Sequence, residues 1–456
     1  MKLSTPVFLS APVFLVTHNS APAQTPGVSQ PSTLSHRQLV RQIRRLEGAQ
    51  DMVNMPSVAP LFLEDAQFSS TLYIVNDGIP SVSGRLLLLA PDGQIISDKT
   101  VTVGGHDKLE VPVKPMLETA HSTATRGSIE LFDDNIDGPS LAGEVVITFH
   151  GQSTSVNIDE ELLMPTMSQS HELRGIAVDA VANPIVSITS TSEQPVQVFV
   201  KCSGERSKPT QLSFQIRSHQ IVTLRPCLDS PAPIDAAQSF HFEAKDLAPA
   251  ESKGIQILSS DPKAEIQAFG FSPTMTGGAF SFVPIPFQDR GDILSTEIIF
   301  PGVPVGNTGE LWGTYRPRVA VQNLSSETRQ ITVHNAQTRF GISTYRNVTQ
   351  FSVSPHAVVS ADIVTEGNSP GDLDTYVIES DGQPADVQTQ VWAEEENRKR
   401  QIVFAGKDAK DDRNGGLHPW TLQNGSQDGL YLFNQTDADQ PFLVTGDQRS
   451  ENSYID

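Results

Sequence analysis

Basic residues are scarce in this 456-residue chain: 32 Lys and Arg stand against 53 Asp and Glu, a formal net charge of −21. Phosphate binding needs clustered cations that displace counterions, so the balance excludes a nucleic-acid partner. An acidic surface favours solubility and divalent cations instead. Long apolar runs are also lacking. After the first residues no stretch approaches the roughly 18 apolar residues a membrane helix needs, which argues against a transmembrane segment. The Ala-Leu-Glu-Lys bias of helical proteins is weak. Catalytic signatures are missing too: there is no G-x-S-x-G, no H-E-x-x-H and no phosphate-cradling Gly loop, and the 11 His are scattered singly. No catalytic residue and no required cofactor are assigned on this reading. A carbohydrate-active or hydrolytic enzyme, its site assembled between β domains, is the alternative.

Cysteine is nearly absent, with Cys202 and Cys227 alone. In "VQVFVKC" the residues Val196, Val198, Val200 and Cys202 share one face, so Cys202 points inward. Cys227 ends "IVTLRPC". With the strand "LSFQI" between them the two strands run parallel and bring both cysteines to one end of a sandwich. The parity of Cys227 is wrong for the apolar face unless Pro226 breaks the alternation. In an exported chain the pair is expected to form a disulfide, worth about 3 kcal/mol for a loop of this length.

Export is what the first residues suggest. Residues 1–23 combine Lys2, the apolar "PVFLSAPVFLV" and an A-x-A-type site ending at Ala23, the layout of a signal peptide. The expected location is periplasmic, cell-surface or secreted. Residues 24–54 hold a Pro/Ser/Gln-rich linker and a short helix, "SHRQLVRQIRRLEG", capped by Ser35 and stopped by Gly48. Its Arg37, Arg41, Arg44 and Arg45 form the one basic cluster. They read as a surface helix meeting the protein's own carboxylates, or as a patch for anionic lipid.

From residue 55 onward short period-2 segments alternate with Gly, Pro, Asn and Asp turns, the pattern of antiparallel β-sandwiches. Self-similarity divides them. A strand running into a polar turn occurs at "LYIVNDG", "IVSITSTSEQP", "VAVQNLSSET" and "LYLFNQTDADQP". A strand–acidic turn–strand hairpin closes each unit, and Glu144, Glu265 and Asp386 recur in it at a spacing of 121 residues. The expected fold is all-β: sandwiches at 55–165, 170–290 and 295–408, with 415–456 opening a fourth repeat. That last segment is too short to close a sandwich; it reads first as a truncated remnant of a repeat and second as a candidate for strand addition to another chain.

This layout resembles the tandem immunoglobulin-like, adhesion-related domains of bacterial exported envelope proteins, over most of the chain after residue 23. The resemblance implies a non-enzymatic array that binds a protein or glycan surface partner or acts as a spacer. It carries over no functional residue.

The most specific motif is "DDNIDGPSLAGE". It matches the calcium-loop pattern D-x-[DN]-x-[DN]-G-x5-E, with Asp133, Asn135, Asp137 and Glu144 as metal ligands and Gly138 at the sharp turn. Its flanks read as strands rather than helices, and Ser140 replaces the usual apolar residue, so a solvated acidic hairpin is the competing reading. Phe62, Trp312 and Trp420 stand shortly before the Asn turns. They read as first-strand residues plugging each core, with a sugar-stacking platform as the alternative. "RGD" at 290–292 is too short to carry an attachment function. Sequons at Asn323, Asn347, Asn424 and Asn434 matter only if the source glycosylates.

Overall fold

The alternation in "VQVFVKC" is realised as a strand, Val196–Gly204, in which Val196, Val198, Val200 and Cys202 are buried while Lys201 is exposed. Segments of this kind build nearly all of the protein. The computed structural model describes residues 57–410 apart from 77–78, 134–140, 153–156, 166–170, 236–239, 241–246, 263, 265, 277–278, 308–312, 340–341, 366–371, 397–400 and 405. The expected signal peptide, basic helix and fourth repeat, with Trp312 and Trp420, lie outside the described residues.

The first group of strands is β1 (Ser57–Leu63), β2 (Phe68–Asn76), β3 (Val82–Leu89), β4 (Ile95–Val103), β5 (Lys108–Pro112), β6 (Arg126–Asp133), β7 (Leu141–Gln152) and β8 (Asn157–Pro165). They form two four-stranded sheets, β1-β6-β3-β4 and β5-β2-β7-β8. The α-helix among the described residues, α1 (Val113–Thr119), is two turns long and buries Val113, Met116 and Leu117.

The second group is β9 (Glu172–Ala180), β10 (Ile185–Ser190), β11 (Val196–Gly204), β12 (Thr210–Ile216), β13 (Ile221–Leu224), β14 (Glu251–Ser259), β15 (Ile266–Thr276), β16 (Ala279–Ile285) and the short β17 (Gln288–Asp289). Its sheets are β17-β9-β14-β11-β12 and β13-β10-β15-β16. The third group is β18 (Glu297–Asn307), β19 (Thr314–Asn323), β20 (Arg329–Arg339), β21 (Ile342–Val353), β22 (Val358–Asp362), β23 (Asp372–Ser380), β24 (Val387–Glu395), β25 (Gln401–Phe404) and β26 (Lys407–Asp408). One ladder runs β26-β18-β23-β20-β21 and the other β22-β19-β24-β25. The end of β18 joins them where Gly306 pairs with Tyr315.

One topology is thus used three times: strands 1-6-3-4 face strands 5-2-7-8. An immunoglobulin constant domain places its first strand beside the second and its seventh beside the sixth. Here the first strand lies beside the sixth and the seventh beside the second. The terminal strands have exchanged sheets around the same inner pairings, second with fifth and third with sixth.

The strand–Asn turn holds the two sheets together. Asn76 ends β2, and its Nδ2 donates to the carbonyls of Pro80 (2.8 Å), Val103 and Gly104 (3.1 Å each), the last two at the end of β4 in the opposite sheet. Asn323 ends β19 in the same way, donating to Glu327 O (2.6 Å) and Val353 O (2.9 Å). Both are buried. Register makes Ser190 their counterpart in the second sandwich: Leu141, Ile266 and Val387 pair with Asn76, Ser190 and Asn323. This register corrects the 121-residue spacing. Asp386 directly precedes β24, whereas Glu144 is the fourth residue of β7, opposite Tyr73.

A second recurrence links the fourth and fifth strands. His106, His219 and His356 each occupy a tight turn with positive φ, at 55°, 59° and 57°. In each turn the next residue's N–H returns to the carbonyl three positions back (Asp107 to Gly104, Gln220 to Arg217, Ala357 to Ser354). Positive φ at the third turn position normally favours Gly or Asn, and His is among the few other residues that tolerate it.

The sandwiches also pack on one another. Phe68 and Phe149 of the first meet Phe282 of the second at ring distances of 5.7 and 4.7 Å. Ile185, Phe240, Phe269 and Phe271 join the same apolar cluster. On the other side Ile176 and Val178 of β9 and Val283 of β16 pack against Ala320 and fully buried Trp392 of the third sandwich. Gly254 permits this approach, since a Cβ there would lie 2.3 Å from the Gln322 side chain.

Replacing Asn323 by Ala removes the donor to the buried Val353 carbonyl, while Glu327 O keeps the Ser325 hydroxyl at 3.0 Å. Urea unfolding is expected to show a loss of about 2–3 kcal/mol. A loss below about 0.5 kcal/mol, the level of an ordinary surface change, would mean that the corner is held by the ladder alone.

Candidate functional site

The proposed calcium loop is described only at its ends. Asp133 closes β6, and its Oδ2 accepts a hydrogen bond from Leu141 N at 2.9 Å, tying the loop shut at its base. Glu144 lies inside β7, buried, on the opposite sheet from Asp133. Asn135 and Asp137 fall outside the described residues. Among the described residues no group of three or more His, Cys, Asp and Glu is placed to hold a metal. In the third sandwich the corresponding turn is organised by an arginine: Arg329 Nη2 meets Asp386 Oδ2 at 2.7 Å, and Asp386 also accepts from Gln383 N at 2.8 Å.

Cys202 and Cys227 form a disulfide with a Cα–Cα distance of 5.3 Å. Cys202 is on β11, and Cys227 follows β13 by three residues, so the bridge crosses between the two sheets of the second sandwich. Thr210, opposite Cys202 in the ladder, donates to Pro226 O at 2.6 Å and holds the incoming segment in place. Phe62 is fully buried, as a first-strand core residue. The "RGD" segment is a single 3-10 turn whose N-terminal Asp289 accepts from Gly291 N at 2.8 Å. Its Arg290 pairs with Glu172 Oε2 of β9 at 3.1 Å, which ties the segment back onto the second sandwich. Of the sequons, Asn323 is buried and spent on the corner, while Asn347 is exposed on β21.

Three side-chain groupings come together that spacing in the sequence does not announce. On the outer face of the first sandwich Ser69 Oγ lies 2.9 Å from His150 Nε2, exposed to solvent, and Asp159 of β8 stands opposite His150 in the ladder. On the third sandwich His334 Nε2 meets Glu379 Oε2 at 2.9 Å. Tyr345 stacks on that imidazole at 4.3 Å with 57% of its surface exposed. Partial burial, with Glu297 and Glu379 nearby, pushes the Tyr345 phenol up to about 12. Glu297 and Glu379 are direct cross-strand neighbours. Between the first and second sandwiches His219 pairs with Glu130 at 2.7 Å.

Polar ties also cross from the second sandwich to the third. Arg318 bonds Asp179 and lies over the Trp392 ring, 5.0 Å from its centroid. Burial raises the Asp179 carboxyl in spite of Arg318. Arg174 is held by Glu172 at 2.6 Å and donates to Ala385 O. No helix among the described residues is long and apolar enough to cross a membrane. Compared with protein families, with curated proteins and with solved structures, the chain has no match.

With Asp133 engaged at the loop base and Glu144 inside the sheet, titration calorimetry is expected to give no heat up to the millimolar Ca2+ typical of extracellular modules, about 1 mM. Heat that disappears in Asp137→Ala would instead place a cation in this loop.

Proposed function

We propose that the protein is an exported, non-enzymatic scaffold at the cell envelope, a fixed stack of three β-sandwiches that presents its outer surfaces to a protein or glycan partner. One observation carries the reading: the middle sandwich packs against the first sandwich through one sheet and against the third through the β9 side of the other. Such packing fixes the spacing and orientation of the exposed faces, which suits adhesion or separation of partners better than turnover. The signal-like segment at residues 1–23 and the resemblance to adhesion-related arrays agree with this role.

A hydrolytic reading is favoured by one pair alone. Ser69 and His150 stand within the 2.6–3.2 Å range, to order of magnitude about 3 Å, that a general base needs to activate a hydroxyl. Contact with solvent counts against it, because a catalytic pair gains its strength in a water-excluded pocket.

Affinity capture of an envelope fraction on the full chain is expected to retain a stoichiometric partner, while a glycan panel incubated with the protein is recovered uncleaved. Turnover of any glycan would overturn the scaffold reading. A fluorophosphonate probe is expected to leave Ser69 unlabelled, and labelling lost in both Ser69→Ala and His150→Ala would establish the hydrolytic reading.

A further inference from the structure

Among the described residues, an acid–base pair joins the first and second sandwiches. Ile129 and Leu131 of β6 point into the first core, so Glu130 between them points out of that sandwich, yet it is 0% exposed. The second sandwich covers it. Glu130 Oε1 lies 2.7 Å from His219 Nδ1. Its other carboxylate oxygen is buried and has no hydrogen-bond partner.

His219 is the left-handed residue of the β12–β13 turn, and that turn interlocks with the turn after β3. Ile221 N donates to Pro91 O at 2.9 Å across the junction. Gly93, at φ 87°, approaches so closely that a Cβ would lie 3.0 Å from Ser218 O. The histidine is therefore held in place by backbone on both sides, with its ring aimed at the buried carboxyl.

Charged groups on the surrounding elements are engaged elsewhere. Arg85 of β3 and Asp98 of β4 hold one another at 2.6 Å. Asp92 accepts from Gln94 N in its own turn. Arg126 of β6 is directed at the carbonyls of Ile234 and Asp235. Arg217, in the His219 turn, is exposed. Glu130 is the charged group that acts on the imidazole.

We propose that Glu130 and His219 form a pH-sensitive latch between the first and second sandwiches, closed when the imidazole is protonated. A carboxyl with no solvent contact needs both a hydrogen bond and a compensating charge, and the imidazolium supplies both. The hydrogen bond from Glu130 raises the proton affinity of His219, burial opposes this, and the charge of Glu130 adds to the rise. The proton is thus bound more tightly in the closed junction than in an open one, where an ordinary value of about 6.5 applies. The latch is complete below that ordinary value and is lost as pH rises through the raised one.

NMR titration of the His219 ring protons in the full chain, with hydrogen exchange at the Ile221 amide, tests this. His219 is expected to titrate above about 6.5. The Ile221 protection factor, corrected for intrinsic exchange, is expected to fall at least about threefold between roughly pH 5.5 and 8.5. In His219→Gln that pH dependence is expected to vanish, and in Glu130→Gln the ring is expected to return to the ordinary range. Titration of His219 at or below about 6.5, or equal wild-type protection at both pH values, would overturn the proposal. If Glu130→Gln fails to fold, the wild-type titration and His219→Gln decide.

Discussion

The middle sandwich packs against a neighbour through each of its two sheets. The sheet containing β10 and β15 turns Ile185, Phe269 and Phe271 toward the first sandwich, and the sheet containing β9 turns Ile176 and Val178 toward the third. Each of these large side chains stabilises by about 1.5–3 kcal/mol when removed from water, so two undersides of this kind cannot be left to solvent. The rest follows from that burden: Gly254 for close approach, Gly93 in its turn, and hydroxyl pairs beside the apolar contacts. Ser187 Oγ and Thr223 Oγ1 bond each other at 2.8 Å, and Ser360 bonds Ser252 at 2.7 Å across the second junction. Paired hydroxyls of this kind satisfy one another and let the backbones approach without adding charge.

Strand identity was legible because a half-buried strand must alternate. Val196, Val198, Val200 and Cys202 follow that rule, whereas Cys227 lies beyond β13, outside any alternation. The corner asparagines were legible as a repeat, but their reach was not. Asn76 and Asn323 do more than set a local turn, since they reach carbonyls of a strand in the facing sheet. The polar face of "IVSITS" was misleading for a physical reason: Ser187, Thr189 and Ser190 are all buried, and the face that alternation assigns to water belongs to an interface.

Strand order was not legible. Which neighbour the first and seventh strands choose depends on tertiary closure, and alternation is identical in either sheet. The pairs Ser69 with His150 and Glu130 with His219 are 81 and 89 residues apart; the β2–β7 ladder brings the first together, and the packing of two sandwiches the second. The histidine turns did leave a trace. His106, His219 and His356 fall about thirty residues after Asn76, Ser190 and Asn323, each just before an apolar strand. A repeat of one residue type in a left-handed turn is faint unless Gly and Asn are known to be absent from that position.

The two-residue strands β17 and β26 have a mechanical consequence. Each returns after the eighth strand of its sandwich to pair with that sandwich's own first strand, Gln288 with Arg174 and Lys407 with Ile299. A pull along the chain therefore reaches these short ladders before it reaches the long ones. With only two paired residues apiece they peel open first, release a few residues of slack, and spare the β9–β14 and β18–β23 ladders. Under tension such clips behave as fuses, and extension begins between sandwiches while each core is still shut.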